Sequence, residues 1–183
     1  MDNKLLVCLA TALVQAGFVV LRFNYRGIGG SELEGTLDGA QAQFWKHSRC
    51  PEYEADIHAD CRCTLAFLAA TLDLSWPLMV VGYSFGCLPV MALAEADARI
   101  AVMALISPPL VQWPADTSAM TRVLARGVFF APGDFACPKD RMLNFFAQLA
   151  EPKTLRTFPG ADHFFIGQEA LLAESVREFL EQG

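Results

Sequence analysis

Five short apolar runs alternate with helical patterns along the chain, and this alternation constrains the fold more than any other feature of the sequence. The runs are Val19–Phe23, Leu78–Val81, Val102–Ile106, Val128–Phe130 and Thr154–Phe158. Between them lie segments of helical period. In the clearest, Glu54 to Leu72, residues Ile57, Cys61, Leu65, Leu68 and Leu72 form one apolar stripe. The last, Ala170 to Glu181, repeats the device with Leu172, Val176, Phe179 and Leu180. Strands separated by helices imply crossover connections, and hence a parallel sheet covered on both faces. We therefore expect an α/β protein with a mainly parallel sheet of about five strands and helices on both sides. At 183 residues, 54% of them hydrophobic, the chain is expected to form one domain over residues 1–183.

Parallel strands carry their chemistry on the loops at their carboxyl ends, so reactive groups should be sought there. After the first run comes Asn24-Tyr25-Arg26-Gly27; after the second, Gly82-Tyr83-Ser84-Phe85-Gly86; after the third, Ser107-Pro108-Pro109. Asp134 follows the fourth run, and Asp162 and His163 follow the fifth. The pattern G-x-S-x-G, bare, does not separate a nucleophile from a small turn residue. Here it stands between a buried strand and a helical segment, Phe85 to Ala94, which is the setting of a nucleophile elbow. Acyl transfer needs a hydroxyl activated by an imidazole, and a carboxylate to orient that imidazole. Ser84, Asp134 and His163 occur in the order serine, acid, histidine, with room for a helix and a strand between each pair. Asp162 is the competing carboxylate, adjacent to the histidine and suited to bracing its loop. Pro89 is a further tension, since proline inside a helix costs up to about 3 kcal/mol unless it falls in the first turn.

Composition narrows the partners. Fourteen basic against twenty acidic residues, net −6, leave no electrostatic footprint for nucleic acid, and no basic amphipathic stretch suggests a membrane surface. A small molecule is the expected partner. The six cysteines are scattered rather than arranged as a framework, which suggests reduced thiols in a cytoplasmic protein; His58 with Cys61 and Cys63 lacks a second ligand pair, so no metal is expected. Leu5 to Leu21 carries no charge and, after Lys4, looks like a signal-peptide core. Gln15 and Gly17 punctuate it as a helix end does, so we read an apolar helix feeding the first strand.

The LRFNYRGIGGSE loop, GYSFG, SPP after the next strand, the GD…P acid loop and GADHFF together resemble a short, lidless member of the α/β-hydrolase superfamily. The similarity runs over nearly the whole chain. It implies a serine hydrolase of small esters or related acyl compounds, with Ser84 as nucleophile, His163 as base, Asp134 as the orienting acid and the Phe85 amide in the oxyanion hole. No cofactor is implied. Tyr83, Trp113 and Phe164 are candidates for the substrate pocket, and the short stretch from Leu110 to Gly127 leaves little length for a lid. Such proteins usually place a strand and a His- or Gly-rich loop before the first helix, so the fold is read as N-terminally shortened. From this we expect a homo-oligomer through an incomplete sheet, strands that shift to pair directly, or upstream residues filling the gap. The competing reading is a catalytically silent α/β-hydrolase-fold protein used for binding or assembly.

Overall fold

The computed structural model describes residues 3–28, 30, 31, 54–72, 76–111 and 123–183. They fall into two compact units, one within residues 21–76 and the other comprising residues up to 20 together with 77–183.

The larger unit holds the sheet. Its elements are α1 (Lys4–Gln15), β1 (Leu78–Tyr83), α3 (Cys87–Ala96), β2 (Ile100–Ile106), β3 (Ala125–Phe130), α4 (Lys139–Gln148), β4 (Lys153–Thr157) and α5 (Glu169–Gln182); α2 (Glu54–Thr71) belongs to the smaller unit. The four strands are parallel and lie in the order β1-β2-β3-β4. Registers Tyr83↔Ile106 and Phe130↔Thr157 bring the carboxyl ends of the strands to one edge. Every loop that the sequence nominates after a strand of this sheet therefore opens at the same end.

Side-chain alternation sorts the sheet into two cores. Val102, Ala104, Ile106 and Phe129 face α1 and α5, where they meet Leu5, Leu9, Leu13, Leu172, Val176 and Phe179. Met103, Leu105, Val128 and Phe130 face the other way, against Cys87, Val90 and Ala94 of α3 and Met142 and Phe145 of α4. Helices thus cover both faces. The leucines of α1 recur every four residues, and burying each stabilises the fold by about 1.5–3 kcal/mol. Asn3 caps α1 by accepting the Leu6 N–H at 3.2 Å, and Gly17 ends it with φ +92°, a left-handed conformation that glycine adopts without strain. Pro89 is the third residue of α3. It lies in the first turn, where the missing N–H has no intrahelical acceptor to lose.

One expected strand does not form. Residues 18–25 have no regular structure and join no sheet; Val19 and Leu21 are exposed. The FVVLRF run has the composition of a strand, but a strand exists only with a ladder partner, and β1 pairs with β2 alone among the described strands. The described sheet has four strands where about five were expected.

In the smaller unit, Arg26 is tied to α2. Its backbone N–H donates to Asp60 Oδ2 at 2.8 Å, its Nε to Asp60 Oδ1 at 2.8 Å, and its Nη1 to Asp56 Oδ1 at 3.0 Å. Gly27, at φ +73°, turns the chain directly after this anchor. Along α2, Ile57 and Cys61 are buried, Leu65 and Leu68 half-buried and Leu72 exposed, so cover of the predicted stripe falls off along the helix. No helix among the described residues is long and apolar enough to cross a membrane.

Candidate active site

β1 ends at Tyr83, and the next three residues, Ser84–Gly86, form a 3₁₀ turn that runs straight into α3. Ser84 has φ +51°, in the left-handed region where a residue with a Cβ costs on the order of 1–3 kcal/mol. The reversal is this sharp because Gly82 lies against the start of α3. A Cβ on Gly82 would come within 2.6 Å of the Gly86 carbonyl oxygen and 2.7 Å of Cys87 Cα. The strained turn leaves the Ser84 side chain half-buried, at the carboxyl edge of the sheet and beside the N-terminus of a helix.

Asp134 lies on the turn after β3. Its N–H donates to the Ala131 carbonyl at 3.0 Å and its Oδ1 accepts the Ala136 N–H at 2.7 Å, so the loop is closed on both sides of the carboxylate. His163 lies on the loop after β4. Both side chains are almost fully buried. His163 Nδ1 lies 2.8 and 2.9 Å from the two Asp134 oxygens, and His163 Nε2 lies 2.9 Å from Ser84 Oγ. Three residues drawn from three loops form one continuous hydrogen-bonded chain.

Protonation follows from the carboxylate. Burial works to raise the Asp134 carboxyl, but the hydrogen bond and charge of His163, with help from Ser107 and the Ala136 amide, outweigh it and hold the group below its ordinary value. The Ser107 hydroxyl is buried in reach of the carboxylate without a hydrogen bond of good geometry, so His163 and Ala136 carry the stabilisation. An ionised carboxylate has no proton to give, so Nδ1–H of His163 is the donor. In the neutral form of the ring Nε2 is then the acceptor, and the Ser84 hydroxyl donates to it. This is the tautomer that general-base removal of a serine proton requires.

Tyr83 holds the imidazole, and Asp162 braces the loop that carries it. Tyr83 stacks on the imidazole, with ring centroids 5.7 Å apart, and donates its OH to the His163 carbonyl at 3.0 Å. Burial, followed by the charge of Asp134, pushes the Tyr83 phenol well above its ordinary value, so it remains a donor. Asp162 does not meet the ring. Its Oδ1 accepts the N–H groups of Phe164, at 3.0 Å, and Ile166, at 3.3 Å, which makes it a brace for the loop. Phe85 follows Ser84 in the 3₁₀ turn, and Phe164 is exposed beside His163. Trp113 lies outside the described residues. Sequence reasoning passed over Phe135, whose ring centroid is 4.8 Å from that of His163. Its only signal was adjacency to Asp134.

Comparison with known proteins agrees with this architecture. A lidless α/β serine hydrolase from Xanthomonas campestris superposes with a TM-score of 0.77 at 24% identity, covering 100% of this chain and 74% of that one. An α/β serine hydrolase homologue from Coxiella burnetii gives 0.77 at 23%, covering 97% and 76%. An uncharacterised protein of Rickettsia prowazekii is 24% identical over 187 residues, which span 98% of this chain and 72% of that protein. At these identities the solved structures speak for the fold. Residues 4–131 match the family described as serine aminopeptidase, S33, and the chain belongs to that family of α/β hydrolases.

Proposed function

We propose that the protein is a serine hydrolase that cleaves small esters or related acyl compounds, with Ser84, His163 and Asp134 as its catalytic triad. The observation that carries this reading is the unbroken chain from Ser84 Oγ through both His163 nitrogens to Asp134, with every contact between 2.8 and 2.9 Å. Ser84 Oγ attacks the substrate carbonyl while His163 Nε2 takes its proton. Asp134 holds the ring in the required tautomer and stabilises the imidazolium that forms. The Phe85 N–H, in the 3₁₀ turn that leads into α3, donates to the developing oxyanion, where fixed donors act most strongly. Collapse of the tetrahedral intermediate expels the alcohol, which receives its proton from Nε2. Water, deprotonated by the same nitrogen, then releases the acid and regenerates Ser84.

Five described cysteines stand outside any disulfide, which supports a reducing, cytoplasmic setting. The test is labelling of the purified chain by a fluorophosphonate probe, with turnover of 4-nitrophenyl acetate measured alongside. Labelling lost in Ser84→Ala is expected. Equal labelling of both proteins would return the chain to the silent-scaffold reading. Turnover of amino-acid 4-nitroanilides with no turnover of esters would replace the substrate class and leave the triad standing.

A further inference from the structure

We infer that Phe135 and Phe164 form a subsite for the leaving group, which selects substrates whose departing alcohol is neutral and apolar; the inference rests on the hydrolase reading above. The nitrogen that takes the Ser84 proton must return it to the departing oxygen, so that oxygen has to come within about 3 Å of His163 Nε2. Whatever flanks the imidazole on its open side therefore meets the alcohol portion of the substrate. The acyl portion extends instead from the carbonyl carbon at Ser84.

The flanks of the ring are unlike. Tyr83, half-buried, stacks on it and is occupied by its hydrogen bond to the His163 carbonyl. Phe135 and Phe164 lie 4.8 and 5.3 Å from the imidazole, centroid to centroid, and 6.3 Å from one another. They remain 69% and 55% exposed. A lone exposed phenylalanine is ordinary, but two in mutual contact, from different loops and both against a buried histidine, make an apolar collar at one point.

The collar is held in place before any substrate arrives. Phe135 stands between Asp134 and Ala136, which are joined by a 2.7 Å hydrogen bond, and the Phe164 N–H is held by Asp162 Oδ1 at 3.0 Å. The turns that position the acid and the base thus also position the two rings. Asp162, exposed on the same loop, adds negative charge beside them in a chain of net charge −6. A phosphorylated or carboxylated alcohol is disfavoured there, whereas an alkyl or aryl alcohol covers the rings.

Two ester series separate this subsite from an acyl pocket. For acetates of straight-chain alcohols from methanol to hexanol, wild-type kcat/KM is expected to rise with each methylene, by at most the fourfold that full burial gives. Phe135→Ala or Phe164→Ala should flatten that rise, while Phe135→Leu keeps most of it. For methyl esters of acids from acetic to heptanoic, the dependence on chain length should be the same in wild type and in both alanine variants. Thermal melting checks that the variants fold, which their exposure favours. A wild type that is labelled by fluorophosphonate at Ser84 but whose alcohol series is flat, or is unchanged by both alanine variants, overturns the subsite and leaves the hydrolase reading intact. Absence of labelling in the wild type removes both.

Discussion

The two glycines of the G-x-S-x-G segment are equivalent in sequence, yet replacing each by alanine should have opposite consequences. Gly82 is buried in β1, and the three atoms nearest an added Cβ are all backbone: Gly86 O at 2.6 Å, Cys87 Cα at 2.7 Å and Cys87 N at 2.8 Å. No side chain can swing aside to relieve them. Ordinary contact begins at 3.4 Å, so the strand and the start of α3 must separate by about 0.8 Å. Ser84 lies between them. If its Oγ, now 2.9 Å from His163 Nε2, moves by that amount, the separation reaches about 3.7 Å, beyond a hydrogen bond. Displacements near 1 Å cost on the order of 10²-fold in rate, and overpacking costs about 1–3 kcal/mol of stability. For a domain of this size each kcal/mol is worth roughly 2–4 °C in Tm.

Gly86 has φ −61° and ψ −14°, ordinary right-handed helical values, and an added Cβ there meets nothing within 4 Å. Alanine at such a position restricts the unfolded chain and stabilises by about 0.4–1 kcal/mol. The assay is the second-order rate of fluorophosphonate labelling at Ser84, with Tm from thermal unfolding of each variant. Gly82→Ala is expected to label about a hundredfold more slowly and to melt several degrees lower, whereas Gly86→Ala melts at or above wild type. Equal losses in the two variants, or a Gly82→Ala protein with wild-type rate and Tm, would refute the reasoning.

Asp134→Asn should lower the labelling rate on the order of 10⁴-fold, because the amide no longer enforces the tautomer with Nδ1–H. The Asp134 carboxyl is held below its unfolded value of about 3.9, so its contribution to stability is complete above that pH and fades as pH falls through the lower, folded value. Urea unfolding of wild type and Asp134→Asn should accordingly differ most above about pH 4 and converge below it; a gap that widens in acid would contradict the assignment. Gly127→Ala is a stability change away from the site. Its Cβ would lie 2.7 Å from the Phe179 ring and 2.9 Å from the Phe129 ring, so a Tm loss of several degrees with wild-type labelling at Ser84 is expected.

What the sequence reveals of this fold is what is decided locally or by simple spacing. The runs at Leu78, Val102, Val128 and Thr154 are apolar or β-branched over several residues, and each lies in or overlaps an observed strand. β3 nevertheless starts earlier than its apolar run, at Ala125, taking in Arg126 and Gly127. A charged residue followed by glycine reads as a loop; here Arg126 pairs with Lys153 in the ladder, its N–H donates to the Pro152 carbonyl at 3.2 Å and its Nη1 to the Ala150 carbonyl at 3.3 Å. The failure at Val19–Phe23 is the converse, since side-chain pattern is local but a ladder requires a neighbour.

The site divides in the same way. Ser84, Asp134 and His163 could be nominated because each stands at a fixed remove from a strand end and their chain order is informative. Asp134 could be preferred to Asp162 through its place after the fourth run, with room for a helix and a strand before the histidine, and through resemblance; the physical distinction is that two amide groups occupy Asp162 Oδ1 while Asp134 faces the imidazole. Nothing in GDFACP marks Phe135 as more than a neighbour of the acid. Its contact with His163 depends on two loops, twenty-eight positions apart, being carried to one edge by β3 and β4. Residues whose role is set by their own turn are thus visible before folding, whereas those that shape the surroundings of the reaction become visible only when strand register brings separate turns together. Substrate choice in a fold of this kind belongs to the second class, and the alcohol series on Phe135 variants therefore tests a property that the triad motif does not contain.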